Sequence, residues 1–104
     1  MILASASPQR RAILEQLGID FRVDAPEVEE LTEGDPRDTV AENARRKMRA
    51  CDARERVLGV DTAVVLAGRL FGKPRDAAEA ASFLRSLSGR THEVMSGIAL
   101  READ

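Results

Sequence analysis

The sequence is poor in aromatic residues, cysteine and lysine. Three phenylalanines are its only aromatic side chains, since tryptophan and tyrosine are both missing. This scarcity and a formal net charge of −2 argue against a broad nucleic-acid surface, which relies on stacking and positive charge. The single cysteine, Cys51, cannot form an internal disulfide and argues against a metal cluster. We therefore expect a protein of the reducing cytoplasm with no nucleic-acid partner.

Long hydrophobic runs are also missing. No stretch approaches the roughly 18 apolar residues of a membrane-spanning helix, and no signal segment precedes the first strand-like run. We expect neither a membrane protein nor a secreted one. What is present, 43% hydrophobic and 33% charged residues over a length of 104, is typical of one soluble domain with a modest core.

The order of the hydrophobic patterns predicts an α/β fold, with a mixed sheet flanked by helices. Apolar or alternating runs predict strands over residues 2–4, 21–23, 57–66, 70–71 and 91–100, with a hairpin turn at 67–69. Helical spacing predicts helices over 8–17, 36–54 and 77–87. Ser7, Asp35 and Asp76 are the expected N-caps, and proline follows the first two.

Each predicted helix has an apolar face that we expect to be buried. These faces comprise Ile13, Leu14 and Leu17; then Val40, Ala44, Met48 and Cys51; then Ala80, Phe83, Leu84 and Leu87. Lys47 falls inside the second face, where a lysine needs a partner for its charge or a wet cleft to reach. The alternative is that Lys47 extends from the edge of the face into solvent.

The first turn after the opening strand combines several anion-binding features. Its sequence, Ser5-Ala6-Ser7-Pro8-Gln9-Arg10-Arg11, leads into a helix. Unpaired N–H groups and the positive end of the helix dipole meet two serine hydroxyls and two arginines there. The combination suits a phosphate or polyphosphate, although an ordinary helix start can have the same residues.

Two acidic residues are candidates for catalysis or metal binding. Asp61 interrupts the strongest strand, and aspartate inside a strand indicates an edge, a bulge or a functional site. With Mg²⁺, such a carboxylate can hold the ion against substrate phosphates or accept a proton from water. Glu30, in an acidic loop, is either a second carboxylate of that site or a solvated charge.

Gly72-Lys73-Pro74 is not a P-loop, because proline occupies the position of the Mg²⁺-binding Ser or Thr. Lys73 can still neutralise phosphate between a strand end and a helix start. We interpret His92 and Cys51 as structural residues, since one histidine and one cysteine cannot form a Ser-His-Asp triad or a spaced metal set.

Several of these motifs occur together in a known order. They are Leu3-Ala4-Ser5-Ala6-Ser7-Pro8, Glu29-Glu30, Ala44 with Lys47, Gly59-Val60-Asp61-Thr62, Gly72-Lys73-Pro74-Arg75-Asp76, and Leu87-Ser88-Gly89 with His92. In this the chain resembles the Maf family of nucleoside triphosphate pyrophosphatases. The resemblance implies a fold similar to the inosine-triphosphate pyrophosphatases, with a nucleotide cleft between two lobes.

The resemblance also implies roles for individual residues. Asp61 would be the catalytic carboxylate, acting as proton acceptor or metal ligand, and Glu30 would join it at a Mg²⁺ or Mn²⁺ ion. Substrate phosphates would be bound by Ser5, Ser7, Arg10, Lys47 and Lys73. Gln9 and Thr62 would help to select the base, and the Asp61-Thr62 pair points to the branch acting on dTTP and UTP. Modified nucleotides are further candidate substrates.

There are two departures from the family pattern. Gln9 stands where the family often has arginine, so contacts there would differ. The family's sequences also continue well beyond this length, so residues 1–104 resemble an N-terminal half without the C-terminal lobe. For such a partial domain we expect weak nucleotide binding, negligible turnover and a tendency to form homodimers or aggregates. The alternative function is a non-catalytic nucleotide-binding or septum-related regulatory fragment.

Overall fold

The computed structural model describes residues 1–72 and 74–103, and within them it has the predicted order of elements. The elements are β1 (Ile2–Ala4), α1 (Pro8–Gln16), β2 (Arg22–Val23), α2 (Pro36–Ala50), β3 (Val57–Leu66), β4 (Arg69–Phe71), α3 (Ala77–Leu87) and β5 (Glu93–Arg101). The strands differ from the predicted ranges by at most two residues at either end. In the part of the chain that is described, no helix has both the length and the apolar character needed to cross a membrane.

The sheet is built around β3. Along one edge, β5 pairs antiparallel with β3 from Val57 to Val65. The other edge is shared, because β1 pairs parallel with residues 57–59 and β4 pairs antiparallel with residues 64–66. β2 extends the sheet beyond β1 in parallel. The predicted α/β class with a mixed sheet is confirmed, and residues 60–63 of β3 face a gap between β1 and β4.

Helices cover the two faces of the sheet and divide the core in two. On the face covered by α2, Ile2, Ala4, Cys51 and Val57 form one buried cluster, with Met48 packed against it. On the opposite face, Leu3 and Val60 pack with Leu14 of α1. Alternation along β3 therefore directs Asp61 towards α2, and it directs Thr62 towards α1.

Two glycines let α2 lie directly on the sheet. A Cβ atom on Gly59 would collide with the carbonyl oxygen of Ala44, and one on Gly97 would collide with the backbone of Val40. Since neither glycine has a positive φ, what these positions require is space rather than an unusual backbone conformation. The close approach brings the side chains of α2 within reach of β3.

The second helix is shorter than predicted, ending at Ala50 rather than near Arg54. Cys51 is already extended, with φ −82° and ψ 112°. Its carbonyl oxygen accepts a hydrogen bond of 2.6 Å from Arg101, which also donates to the carbonyl of Ala53 at 3.0 Å. This interaction with the end of β5 holds the chain in a non-helical path.

For α1 and α3, the prediction that the apolar face is buried is wrong in part. Of the apolar residues of α1 only Leu14 is buried, while Ile13 and Leu17 are 55% and 67% exposed. No residue of α3 is buried, and Leu84 is 69% exposed. The helix is held to the hairpin by an edge-to-face contact between Phe83 and Phe71. The apolar spacing therefore predicted the helix correctly, but no layer in the described part of the chain buries its apolar face.

Candidate functional site

A cleft of about 510 Å³ opens where β1 ends beside the gap in the sheet. Because β1 stops at Ala4, the chain turns away from β3 there, and no strand of the described residues pairs with Asp61 and Thr62 on that side. Four segments contribute to the lining, which consists of Ala4, Ser5, Ala6, Ser7, Pro8, Gln9, Arg10, Ala25, Pro26, Glu27, Glu30, Lys47, Asp61 and Thr62. Eight of the nine predicted site residues therefore line one cleft, which are Ser5, Ser7, Gln9, Arg10, Glu30, Lys47, Asp61 and Thr62. The ninth, Lys73, lies outside the described residues.

The first wall of the cleft is the turn into α1. Ser7 is the N-cap, and its hydroxyl accepts the backbone N–H of Arg10 at 3.4 Å, while Pro8 occupies the first turn. The Ser7 hydroxyl also donates to the side-chain oxygen of Gln9 at 3.1 Å. The first turn of α1 contains no acidic residue. No carboxylate there offsets the positive end of the helix dipole, which faces the cleft.

Arg10 links this turn to the central strand. Its guanidinium donates to the hydroxyl of Ser5 at 2.7 Å and to that of Thr62 at 2.6 Å. Burial lowers the pKa of Arg10 from its ordinary value, and the charges of Asp61 and Glu30 oppose that shift. The guanidinium keeps its charge in proteins, so the cleft contains a fixed, partly buried cation.

The opposite wall is formed by α2, which inserts Lys47 between two carboxylates. The ammonium group lies 3.2 Å from Asp61 Oδ1 and 3.0 Å from Glu30 Oε1, and it also donates to the carbonyl of Val60 at 3.2 Å. The side chains of Lys47 and Asp61 are 15% and 14% exposed. Lys47 therefore points into the cleft rather than along the helix surface to solvent.

Sequence reasoning missed two polar residues that organise the site. Asn43, almost fully buried, donates to Asp61 Oδ2 at 3.1 Å. Ser96 of β5 shares a hydrogen bond of 2.9 Å with Thr62. A signal for Asn43 was available, because it precedes Lys47 by four residues and so lies on the same side of the helix. Ser96 had none, since its relation to Thr62 depends on the pairing of β5 with β3.

Cys51 and His92, which we interpreted as structural residues, both lie outside the lining of the cleft. Cys51 belongs to the core, where burial, reinforced by the charge of Asp24, raises the pKa of its thiol. His92 is exposed and does not line the cleft.

Within residues 1–72 and 74–103, no group of three or more His, Cys, Asp or Glu side chains forms a metal cage. The two carboxylates beside Lys47 instead suit an ion of the Mg²⁺ type, which often takes one or two protein carboxylates and completes its shell with water and phosphate.

Comparison with known proteins identifies the family. The family model described as "Maf-like protein" matches residues 1–104, the whole chain. The chain belongs to the Maf family. This confirms the resemblance noted in the sequence.

Two curated relatives of this Maf-family chain have informative names. The "dTTP/UTP pyrophosphatase" of Anaeromyxobacter dehalogenans strain 2CP-C is 48% identical over 103 residues, covering 97% of this chain and 53% of the relative. The "Nucleoside triphosphate pyrophosphatase" of Xylella fastidiosa strain M23 is 46% identical over 108 residues, covering 96% and 57%. The chain thus spans about half the length of the curated relatives it matches.

Among solved structures, the comparison finds a nucleoside-triphosphatase, "dITP/XTP pyrophosphatase", from Mycobacterium abscessus. It is 20% identical, with a TM-score of 0.47, and the match covers 97% of this chain and 72% of that one.

Proposed function

We propose that the chain supplies the phosphate-binding and catalytic side of a nucleoside triphosphate pyrophosphatase acting on dTTP and UTP. The observation that carries this proposal is the Asp61 carboxylate, which faces the gap in the sheet, forms an ion pair with Lys47 and shares its cleft with Arg10 and the N-terminus of α1. The substrate class is supported by the name of the relative that is 48% identical. The nucleoside triphosphate pools of the cytoplasm would be its source of substrate.

The reaction joins water to the α-phosphorus of the nucleotide. A water oxygen forms a bond to that phosphorus, the bond to the bridging oxygen breaks, and the nucleoside monophosphate and pyrophosphate separate. Asp61 accepts the proton of the attacking water, as a positioned general base. Arg10 and Lys47 hold phosphate oxygens and stabilise the charge that develops in the transition state. The hydroxyls of Ser5 and Ser7, with the N–H groups that begin α1, hold the rest of the triphosphate.

The charge of the cleft supports a requirement for a divalent metal. Among the described lining residues, the two cations Arg10 and Lys47 face three carboxylates, Glu27, Glu30 and Asp61. These residues alone offer no excess positive charge to a triphosphate. Asp61 and Glu30 would hold Mg²⁺ or Mn²⁺, which when bound neutralises phosphate charge. The family resemblance gives Lys73 the same neutralising task.

Base selection is assigned to Gln9 and Thr62. Both line the cleft, and both are already held by neighbours, Gln9 by Ser7 and Thr62 by Arg10 and Ser96. Because these neighbours fix their orientation, the two side chains would present polar groups in set directions, which favours a base whose donors and acceptors match them.

The test uses a chimera in which this chain is followed by the part of the A. dehalogenans relative that lies beyond the matched region. The chimera is incubated with dTTP, UTP or dGTP in ¹⁸O-labelled water, with Mg²⁺ or Mn²⁺ or with neither. We expect dTTP and UTP to give pyrophosphate and a monophosphate carrying the label, because attack at the α-phosphorus places the water oxygen there. The 104-residue chain is assayed alongside it.

Three results would contradict the proposal. They are release of inorganic phosphate and the nucleoside diphosphate, label in the pyrophosphate, or failure of the folded chimera to hydrolyse either pyrimidine nucleotide. Binding of dTTP without any hydrolysis by the chimera would instead favour the alternative of a non-catalytic nucleotide-binding protein.

A further inference from the structure

Asn43 is the only asparagine in the chain, and it occupies an unusual position. It lies at the middle of α2 and is 3% exposed, on the face that packs against the sheet. Asparagine is a poor helix former, and burying its amide without partners is costly. An apolar residue would pack here at lower cost, so the hydrogen bonds of the amide must account for the residue.

All three hydrogen bonds of the amide are directed at the site or at the loop beside it. The Oδ1 atom accepts the backbone N–H of Leu31 at 2.8 Å, and Nδ2 donates to the carbonyl of Leu31 at 3.0 Å. Nδ2 also donates to Asp61 Oδ2 at 3.1 Å. The reciprocal pair with Leu31 fixes which end of the amide is nitrogen, so the group facing Asp61 can only be a donor.

The consequence is that one side chain fixes two carboxylates. Asp61 receives Lys47 on Oδ1 and Asn43 on Oδ2, which determines the plane of its carboxylate. Glu30 directly precedes Leu31, so anchoring the Leu31 backbone places Glu30 beside Lys47 as well. We infer that Asn43 is a positioning residue that holds Asp61 and the Glu30 loop in the geometry that binds the metal–triphosphate complex. The inference rests on the proposed function, since the geometry matters only if that complex binds here.

The first experiment tests the contact itself by NMR of the 104-residue chain. The chain has three side-chain carboxamides, Asn43, Gln9 and Gln16, and the two glutamines are exposed, so they serve as internal references. We expect both Asn43 amide protons to exchange with solvent at least about fivefold more slowly than those of the glutamines, as hydrogen-bonded donors do. In Asp61→Ala one of the two should lose this protection, and in the matched exposed variant Asp52→Ala neither should.

The second experiment measures the affinity of the same chain for dTTP with Mn²⁺, by calorimetry or Mn²⁺ electron paramagnetic resonance. We expect Asn43→Ala to bind about 10–100-fold more weakly, the usual effect of losing a residue that orients metal-binding groups. Thr39→Val is the matched control. Thr39 is buried one turn earlier on α2 and donates to the carbonyl of Glu33, but it does not touch Asp61. Circular dichroism confirms folding, and Asn43→Asp, which keeps the acceptor for Leu31, replaces the alanine variant if that unfolds.

The outcomes separate this inference from the proposed function. Equal affinity in the Asn43 and Thr39 variants, or an Asn43 amide that exchanges as fast as the glutamines, overturns the positioning role. A folded parent chain that does not bind Mn²⁺ with dTTP counts against the function proposed for this chain, while the exchange data still decide whether Asn43 holds Asp61.

Discussion

The contact between α2 and the sheet at Gly59 gives the sharpest prediction about how the fold builds the site. A Cβ at this position would collide with Ala44 O and lie 3.0 Å from the backbone nitrogen of Met48. Both atoms belong to the helix backbone, so Gly59→Ala must push α2 away from β3 rather than rotate a side chain. Such overpacking costs about 1–3 kcal/mol. Because Lys47 and Asn43 are on the same helix, the displacement should also separate them from Asp61.

The control for this prediction is Gly72→Ala. An added Cβ at Gly72 meets no atom of the described residues within 4 Å, and its φ is not positive. Both substitutions restrict the unfolded chain equally, which stabilises by about 0.4–1 kcal/mol. The difference between the two variants therefore isolates the collision, and we expect Gly59→Ala to be less stable by about 1–3 kcal/mol. For a domain of this size each kcal/mol corresponds to about 4–8 °C in Tm.

The assay is urea unfolding followed by circular dichroism, with Mn²⁺–dTTP affinity measured on the folded fraction. A Gly59→Ala variant as stable as Gly72→Ala, with unchanged affinity, would refute the argument that the glycine sets the distance between helix and sheet.

Three further predictions concern the carboxylate proposed to be catalytic, the buried thiol and the exposed strand face. In the chimera, Asp61→Asn should lower pyrophosphate release by about 10²–10⁴-fold, and loss within about threefold would remove Asp61 from the chemistry; Asp52→Asn is the exposed control. Burial, and to a smaller extent the charge of Asp24, raises the pKa of Cys51 in the folded chain. The thiol therefore loses its proton at a lower pH in the unfolded chain than in the folded one. The free energy of unfolding should therefore fall as pH rises above about 8.5, and urea titrations of Cys51→Ala should lack this component; an unchanged pH slope would contradict it. Ile98 is 70% exposed on β5, so Ile98→Thr should reduce self-association measured by light scattering, and an unchanged mass distribution would exclude this face as the cause.

The elements that were predictable are those specified by local sequence. The caps Ser7, Asp35 and Asp76 each accept a backbone N–H from three residues later, as their side-chain chemistry favours. The apolar run of β3 and the turn at Ala67 and Gly68 were equally visible, since strand length and turn residues are encoded within a few positions. Lys47 was also predictable as an anomaly, because its spacing places it on the inward side of α2.

What could not be predicted depends on residues far apart in the chain. The end of α2 is fixed by Arg101, fifty residues after Cys51. The role of Asn43 depends on Leu31 and Asp61, which only the fold brings to it. The exposure of Leu84 depends on which layers pack over α3, and helical periodicity does not specify them. The gap beside Asp61 likewise follows from where β1 ends and β4 begins.

The central claim is that a nucleoside triphosphate binds in the cleft around Asp61. The most direct measurement is amide NMR of the chain with dTTP and a small amount of Mn²⁺, whose paramagnetism broadens the signals of nearby residues. We expect the signals of Glu30, Asp61, Thr62 and the start of α1 to lose intensity first, and dTTP to enhance this effect. Broadening confined to the shallow surface around Asp20 and Arg22, or the same pattern with and without dTTP, would contradict it.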